Sequence, residues 1–219
     1  MLRNAPTGWQ PRRLATGDVY VDNVEGLVVD DVTGDGRRDI VLAEQHRQYQ
    51  PSPSVDVLSN TGSGFRLRTY LLPGEEYSPS GGVSTGDLDG DGRKDVVATV
   101  ADNRPGSRAH VLRQTSTGTL KQGQVIPLLD CPEAVAIRDM NADRRPAVVM
   151  LHGGWNVAGI LLQKSDPTLS TTEQRWQLPT GTFQMQQTLA LDDVDSDGRP
   201  DITVASDNAG LLLLRQVAR

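Results

Sequence analysis

The sequence predicts an all-β protein, a β-propeller of four blades with four strands in each. Two observations carry that expectation. An acidic segment recurs at 31–39, 87–95, 139–147 and 193–201, its first aspartates 56, 52 and 54 residues apart. On either side of each segment, short runs rich in β-branched residues alternate in character with a period of two. A repeat of roughly 54 residues that holds four short strands is the pattern of a propeller blade, which covers its faces by stacking on its neighbours.

The elements follow in the same order in every repeat. The first strand precedes the acidic segment: Leu27, Val83, Val135 and Leu189, then Val29, Thr85, Ile137 and Leu191, alternate with the smaller Val28, Ser84, Ala136 and Ala190. The second strand follows directly, starting at Ile40, Val96, Val148 and Ile202, and the third starts at Val55, Ala109, Gly159 and Gly210. A Gly/Ser/Thr turn then leads to a fourth strand, as at Arg66 to Leu72. No stretch of about ten residues or more combines a helical period with caps. The termini are in phase: Leu2-Arg-Asn-Ala-Pro-Thr-Gly8 matches Leu112-Arg-Gln-Thr-Ser-Thr-Gly118, and the sequence stops at Leu214-Arg-Gln-Val217 and two further residues. The residues left over at the two ends make one further period. The expectation is a single domain over 1–219, a ring closed by pairing the N-terminal strand with the C-terminal blade.

Composition narrows the function classes. With 22 Lys+Arg against 28 Asp+Glu the net charge is −6, which argues against a nucleic-acid partner, since such a protein shows a basic stripe. The longest apolar run, Leu211 to Leu214, is far short of the ~18 residues that span a bilayer, so no membrane insertion is expected. A single cysteine, Cys131, excludes an intramolecular disulfide and a cysteine zinc site, and reads as a small buried residue. The first residues do not read as a secretory signal, because nothing apolar follows the first charge; a signal was either removed or never present.

The acidic segments read as calcium loops. Three short carboxylates on five residues repel one another unless a cation neutralises them. Carboxylates at positions 1, 3 and 5 converge when the loop curls, a glycine at position 6 permits the turn, position 7 offers a carbonyl, and position 9 adds a carboxylate. That set suits the six to eight oxygen ligands of Ca²⁺ better than the tighter octahedron of Mg²⁺. An EF-hand is excluded, because position 12 is Leu42, Ala98 or Val204 and lies in a strand. The loops with Asp87, Asp89, Asp91, Arg93 and Asp95, and with Asp193, Asp195, Asp197, Arg199 and Asp201, are complete. The first, Asp31, Thr33, Asp35, Arg37 and Asp39, has a hydroxyl at position 3 and is expected to bind more weakly. The third has Arg144 for glycine and Ala147 for the last carboxylate; it is expected to bind no metal, with Arg144 or Arg145 bringing a guanidinium near the vacant position. Three Ca²⁺ per chain would bring the formal charge to zero.

The arrangement of strand, Asp-x-Asp-x-Asp-Gly-x-x-Asp and strand resembles the FG-GAP/VCBS repeats of integrin α-subunits and bacterial surface proteins. The resemblance extends over the whole chain and is most specific at 87–95 and 193–201. It implies a propeller whose calcium ligands fall on the aspartates named above. The Phe-Gly and Gly-Ala-Pro signatures of the integrin type are absent, so the bacterial type is the closer relative. Family members usually have about seven or eight blades; four implies a small closed ring, a ring shared by two chains, or a piece of a longer protein.

Other motifs are weighed against simpler readings. Gly82-Val-Ser-Thr-Gly86 and His152-Gly-Gly-Trp155 imitate an α/β-hydrolase elbow and oxyanion loop, but Ser84 leads into an acidic loop rather than a helix, and the two motifs come in the wrong order. His46 and His110 read as surface residues. In His152-Gly-Gly-Trp-Asn156, an exposed Trp155 beside His152 and Asn156 would suit a stacked sugar ring, although a Trp buried between blades is the simpler alternative. Glu25 and Glu133 stand at the start of innermost strands and are candidates for the rim of the central opening.

The expected function is therefore a calcium-binding, non-catalytic recognition or adhesion module, lectin-like, with a glycan or protein ligand on a propeller face. It would act as a monomer or homodimer. The alternatives are the scaffold of a polysaccharide lyase or hydrolase and a purely structural assembly subunit. Weak calcium sites, with dissociation constants of ~10⁻⁴ to 10⁻³ M, serve modules outside the cytosol, so an extracellular, cell-surface or periplasmic setting is expected.

Overall fold

The computed structural model describes residues 24–45, 52–73, 78–179, 188–206 and 209–217. They form fifteen strands and no α-helix. The first blade is β1 (Val24–Asp30), β2 (Asp39–Gln45), β3 (Pro53–Asn60) and β4 (Phe65–Leu71). The second is β5 (Ser80–Gly86), β6 (Asp95–Val100), β7 (Arg108–Gln114) and β8 (Leu120–Pro127). The third is β9 (Pro132–Arg138), β10 (Ala147–His152), β11 (Val157–Leu161) and β12 (Gln174–Gln177). The fourth is β13 (Leu189–Asp192), β14 (Asp201–Ser206) and β15 (Gly210–Leu214).

Each blade is an antiparallel meander in which only sequence neighbours pair, and the four sheets are arranged as a four-bladed β-propeller. The acidic loops all join first and second strands. They are closed by the facing pairs Asp30/Asp39, Gly86/Asp95, Arg138/Ala147 and Asp192/Asp201. The fourth blade has three strands among the described residues. Its completion by an N-terminal strand concerns residues that lie outside them.

The period-two pattern places its larger members in the spaces between blades. Val41, Ala43, Val55 and Val57 of blade one meet Val83, Val96, Ala98 and Leu112 of blade two. Val97, Val111 and Ile126 meet Val135, Val148 and Met150, and Val149, Leu151 and Ile160 meet Ile202 and Val204. Burying such side chains stabilises each interface by about 1.5–3 kcal/mol per residue. The same register elsewhere stays open: Leu27 and Val29 on β1 are 51% and 46% exposed, and Leu211 and Leu213 on β15 are 76% and 43% exposed. Towards the axis, β5 contacts β1 on one side and β9 on the other. The approach is close at Gly81, where a Cβ would lie 2.3 Å from the Pro132 carbonyl oxygen.

Candidate functional site

All four acidic loops share one hydrogen-bonded skeleton. The position-6 amide donates to the position-1 carboxylate: Gly36 to Asp31 at 2.8 Å, Gly92 to Asp87 at 2.9 Å, Arg144 to Asp139 at 2.8 Å and Gly198 to Asp193 at 2.9 Å. The position-7 amide donates to the position-5 carboxylate in Asp35, Asp91, Asp143 and Asp197 alike. The same position-7 arginines, Arg37, Arg93, Arg145 and Arg199, fold back to pair with those four aspartates. Arg145 therefore holds its guanidinium at Asp143 as its counterparts do in the other loops, and this is no special replacement for a metal. Arg144 takes a backbone φ of 66°, the left-handed conformation in which its counterparts are glycines.

Position 9 serves the fold directly. Asp39, Asp95 and Asp201 are fully or almost fully buried, and each ties the loop to the end of the third strand. Oδ2 accepts from the position-2 amide (Val32 3.1 Å, Leu88 3.1 Å, Val194 3.2 Å), while Oδ1 accepts from the amides of Asn60, Gln114 and Gln216 at 2.9, 2.9 and 3.0 Å. Thr33 also spends its hydroxyl on Asp39, at 2.9 Å.

Carboxylates converge in two loops. Asp87, Asp89 and Asp95 offer oxygens within 4.8 Å of one another, as do Asp193, Asp195 and Asp197. Burial pushes the Asp89 carboxyl up, and the charge of Asp95 adds to it. These donor sets are hard oxygens, and they fit a divalent cation such as Ca²⁺. Among the described residues the first and third loops gather no such group.

The two converging loops share a partner that the sequence reading missed. The third-strand arginine of Leu112-Arg-Gln114 sends Nη1 to within 2.6 Å of Asp95 Oδ2 and 3.9 Å of Asp89 Oδ2. Its counterpart Arg215 donates from Nε to Asp195 Oδ2 at 2.6 Å. In the other blades this register holds Ser59 and Leu162, and position 3 holds Thr33 and Asn141. The signal was the co-occurrence of Leu-Arg-Gln with an aspartate at position 3.

The opposite ends of the same strands carry different chemistry. His152, at the far end of β10, is fully buried rather than exposed beside Trp155, which is 49% exposed. The three candidates His152, Trp155 and Asn156 therefore do not form one surface; Asn156 turns the chain with a φ of 55°. The His152 ring bridges two acceptors, with Nδ1 3.0 Å from the Asp130 carbonyl oxygen and Nε2 2.5 Å from Glu173 Oε1. Burial alone would raise the Glu173 carboxyl; the hydrogen bond and charge of His152, with Arg175, outweigh it and hold that carboxyl below its usual value. His110 is likewise buried and not on the surface, because β7 is covered on both faces from Ala109 to Leu112. A search for acid–base partners in sequence does not register that cover. Cys131 is half-buried, and Ser84 lies within β5, so no strand-to-helix elbow exists there.

Glu25 and Glu133 line a cavity of about 220 Å³ with Ser80 and Gly81, where the starts of β1, β5 and β9 meet. Burial, reinforced by the Glu25 charge, pushes the Glu133 carboxyl up to about 7.

No curated protein matches the chain. Among solved structures 52 chains match; one is the crystal structure of the V. cholerae biofilm matrix protein Bap1, at 17% identity and a TM-score of 0.44, over 89% of this chain and 31% of that one. The chain thus spans less than a third of that protein's length. The FG-GAP-like repeat family matches residues 31–98, from the first acidic loop through the second to the middle of β6. Over that stretch, the acidic loop between two strands that recurs in the sequence is similar to the FG-GAP-like repeat.

Proposed function

We propose that the chain is a calcium-binding, non-catalytic β-propeller module, one domain over 1–219, that presents a rigid face to a ligand outside the cell. The observation that carries this reading is the convergence of Asp87, Asp89 and Asp95, and of Asp193, Asp195 and Asp197, at equivalent places in two blades. The ion would be held by those carboxylates together with Asp91 or Asp201 and the carbonyls of Arg93 and Arg199. Asp31, Thr33, Asp35, Arg37 and Asp39 would make a third, weaker site, since Thr33 donates its hydroxyl to Asp39 and the carboxylates of that loop would have to draw together around the ion. A bound Ca²⁺ supplies the positive charge that lets the carboxylates sit together. The residues of the chain do the rest. Position-1 and position-5 aspartates are aimed by backbone amides, and Arg113 and Arg215 hold counter-charge that a cation would displace. Binding to the folded state alone stabilises it by mass action, by about 2.7 kcal/mol at a hundredfold excess over the dissociation constant.

Thermal melting with and without millimolar Ca²⁺, beside a Mg²⁺ control and a light-scattering mass, tests the reading. A calcium-specific rise that Asp89→Asn and Asp195→Asn together reduce supports it; an unchanged melting temperature at saturating Ca²⁺ removes the metal assignment. Arg113→Gln should tighten calcium binding several-fold, since the ion no longer competes with a resident cation.

One observation favours a second reading, the scaffold of a polysaccharide-active enzyme. Glu25 and Glu133 are paired carboxylates in the axial cavity, and a carboxyl near 7 is matched to proton transfer at neutral pH. Turnover of a polysaccharide that Glu133→Gln abolishes would favour that reading over the first.

A further inference from the structure

We propose that a cavity on the rim between blades two and three binds a carboxylate-bearing sugar, with Arg104, Arg108 and Arg175 as its anion-recognising groups. This deepens the recognition reading and rests on it only for there being a ligand. The cavity holds about 640 Å³, within the range of small-molecule sites. Its floor is carbon, from Val125, Pro127 and Leu128, and the three guanidinium groups stand around it. It lies at the end of the strands away from the acidic loops, since β6 and β10 begin at those loops and end near Arg104 and His152.

The arginines are held from behind. The amide and Nε of Arg104 both donate to Asp130 Oδ1 at 2.8 Å, and Nε of Arg175 donates to Glu173 Oε2 at 2.8 Å. Anchoring through Nε leaves the Nη ends of both residues with no hydrogen-bond partner among the described residues. That is the fork that grips a carboxylate with two parallel hydrogen bonds. The two anchoring acids are nearly inaccessible, with side chains 9% and 2% exposed, and His152 bridges them, Nδ1 to the Asp130 backbone and Nε2 to Glu173. Because a carbonyl oxygen only accepts, Nδ1 carries a proton, and a second proton is shared between Nε2 and Oε1. Wherever that shared proton sits, the cluster of Arg104, Arg108, Arg175, His152, Asp130 and Glu173 carries two net positive charges, in a chain whose net charge is −6. Gly159 makes room for the bridge, since a Cβ there would lie 1.8 Å from Glu173 Oε1.

The donor balance selects the ligand. The side chains lining the cavity offer guanidinium donors, carbon and the Ser107 hydroxyl, which is donated to the Leu129 carbonyl oxygen, but no carboxylate or amide acceptor. A peptide's backbone N–H groups can only donate, whereas a uronic acid brings a carboxylate, hydroxyls whose oxygens accept from the guanidinium groups while their hydrogens turn to water, and an apolar ring face for the proline and valine floor.

The test is a calorimetric and NMR titration of the whole chain with a uronic acid tetrasaccharide. A neutral tetrasaccharide of the same linkage, inorganic sulfate and a Glu-rich peptide run in parallel. Binding of the uronate alone, weakened at least tenfold by Arg108→Ala and by 0.5 M NaCl, supports the proposal. Arg108 has no acidic partner in the cluster, so its variant keeps the Asp130–His152–Glu173 network intact; Arg104→Ala should weaken binding further. Equal binding of the neutral sugar, insensitivity to Arg108→Ala, preference for the peptide or binding of sulfate alone would overturn it. Absence of uronate binding with a normal calcium response would overturn this site and leave the calcium module standing.

Discussion

Blades two and three share a strand order, a loop skeleton and one fully buried histidine each, yet they hold their charge in different places. Blade two concentrates it at the acidic loop, where Asp87, Asp89 and Asp95 converge with Arg113. Its histidine, His110, sits among apolar neighbours, and burial pushes the imidazole down to about 4, a shift that Gln122 partly offsets and the Arg108 charge reinforces. In blade three the loop has lost its position-3 and position-9 carboxylates and keeps its shape. The charge lies instead at the other end of β10, in the His152–Glu173 pair. The comparison separates two properties that the repeat motif fuses. Loop shape comes from amide-to-carboxylate bonds that Arg144 and Arg145 make as well as Gly92 and Arg93 do, whereas cation affinity comes from carboxylate convergence, which the third loop lacks.

The largest expected effect is in blade three. Glu173→Ala leaves a buried histidine without its partner and should destabilise the protein by about 3–5 kcal/mol in urea unfolding at pH 7. A loss below about 1 kcal/mol would mean that the buried His152–Glu173 contact contributes little to stability. Next is the pH response of blade two. An unfolded imidazole titrates near 6.5 and His110 near 4, so between those values the unfolded chain binds the proton and stability rises with pH. The contribution is intact above about 6.5 and is lost progressively towards 4, by about 3 kcal/mol in all. His110→Leu should flatten that part of the profile relative to the parent chain. Superimposable profiles would show that His110 is not held neutral. The smallest effect is Arg144→Gly, which relieves a left-handed backbone in the third loop and should stabilise by up to about 1 kcal/mol without creating a calcium response. A response to calcium in that variant would show that the skeleton alone makes a site.

The strands and loops were legible because both are local. The period of two marks Leu27, Val83 and Val135 as one face, and each acidic loop spans nine residues. The arginine cavity was not legible, because its parts come from connections and strands far apart in sequence: Arg104 meets Asp130 and His152 meets Glu173 across 26 and 21 residues. His152 drew notice in the sequence by its setting, but its burial follows from the cover on both faces of β10, where every residue from Ala147 to His152 is buried. The position-9 aspartates read as metal ligands, and sequence gives no sign that both oxygens of each already serve backbone amides.

The meander of every blade has a consequence for how the molecule comes apart. Among the described residues each apolar interface joins successive blades, and position 2 of the first three acidic loops, Val32, Leu88 and Met140, enters the core ahead of it, while Val194 in the last is 54% exposed. Cohesion is therefore nearest-neighbour, as in a linear array of repeats, where unfolding can begin at the least covered unit and advance. Among the described residues the three strands β13–β15 share one apolar core, and on that cover they should lose hydrogen-exchange protection before blades two and three. Heating would then trace a staircase rather than one cooperative step.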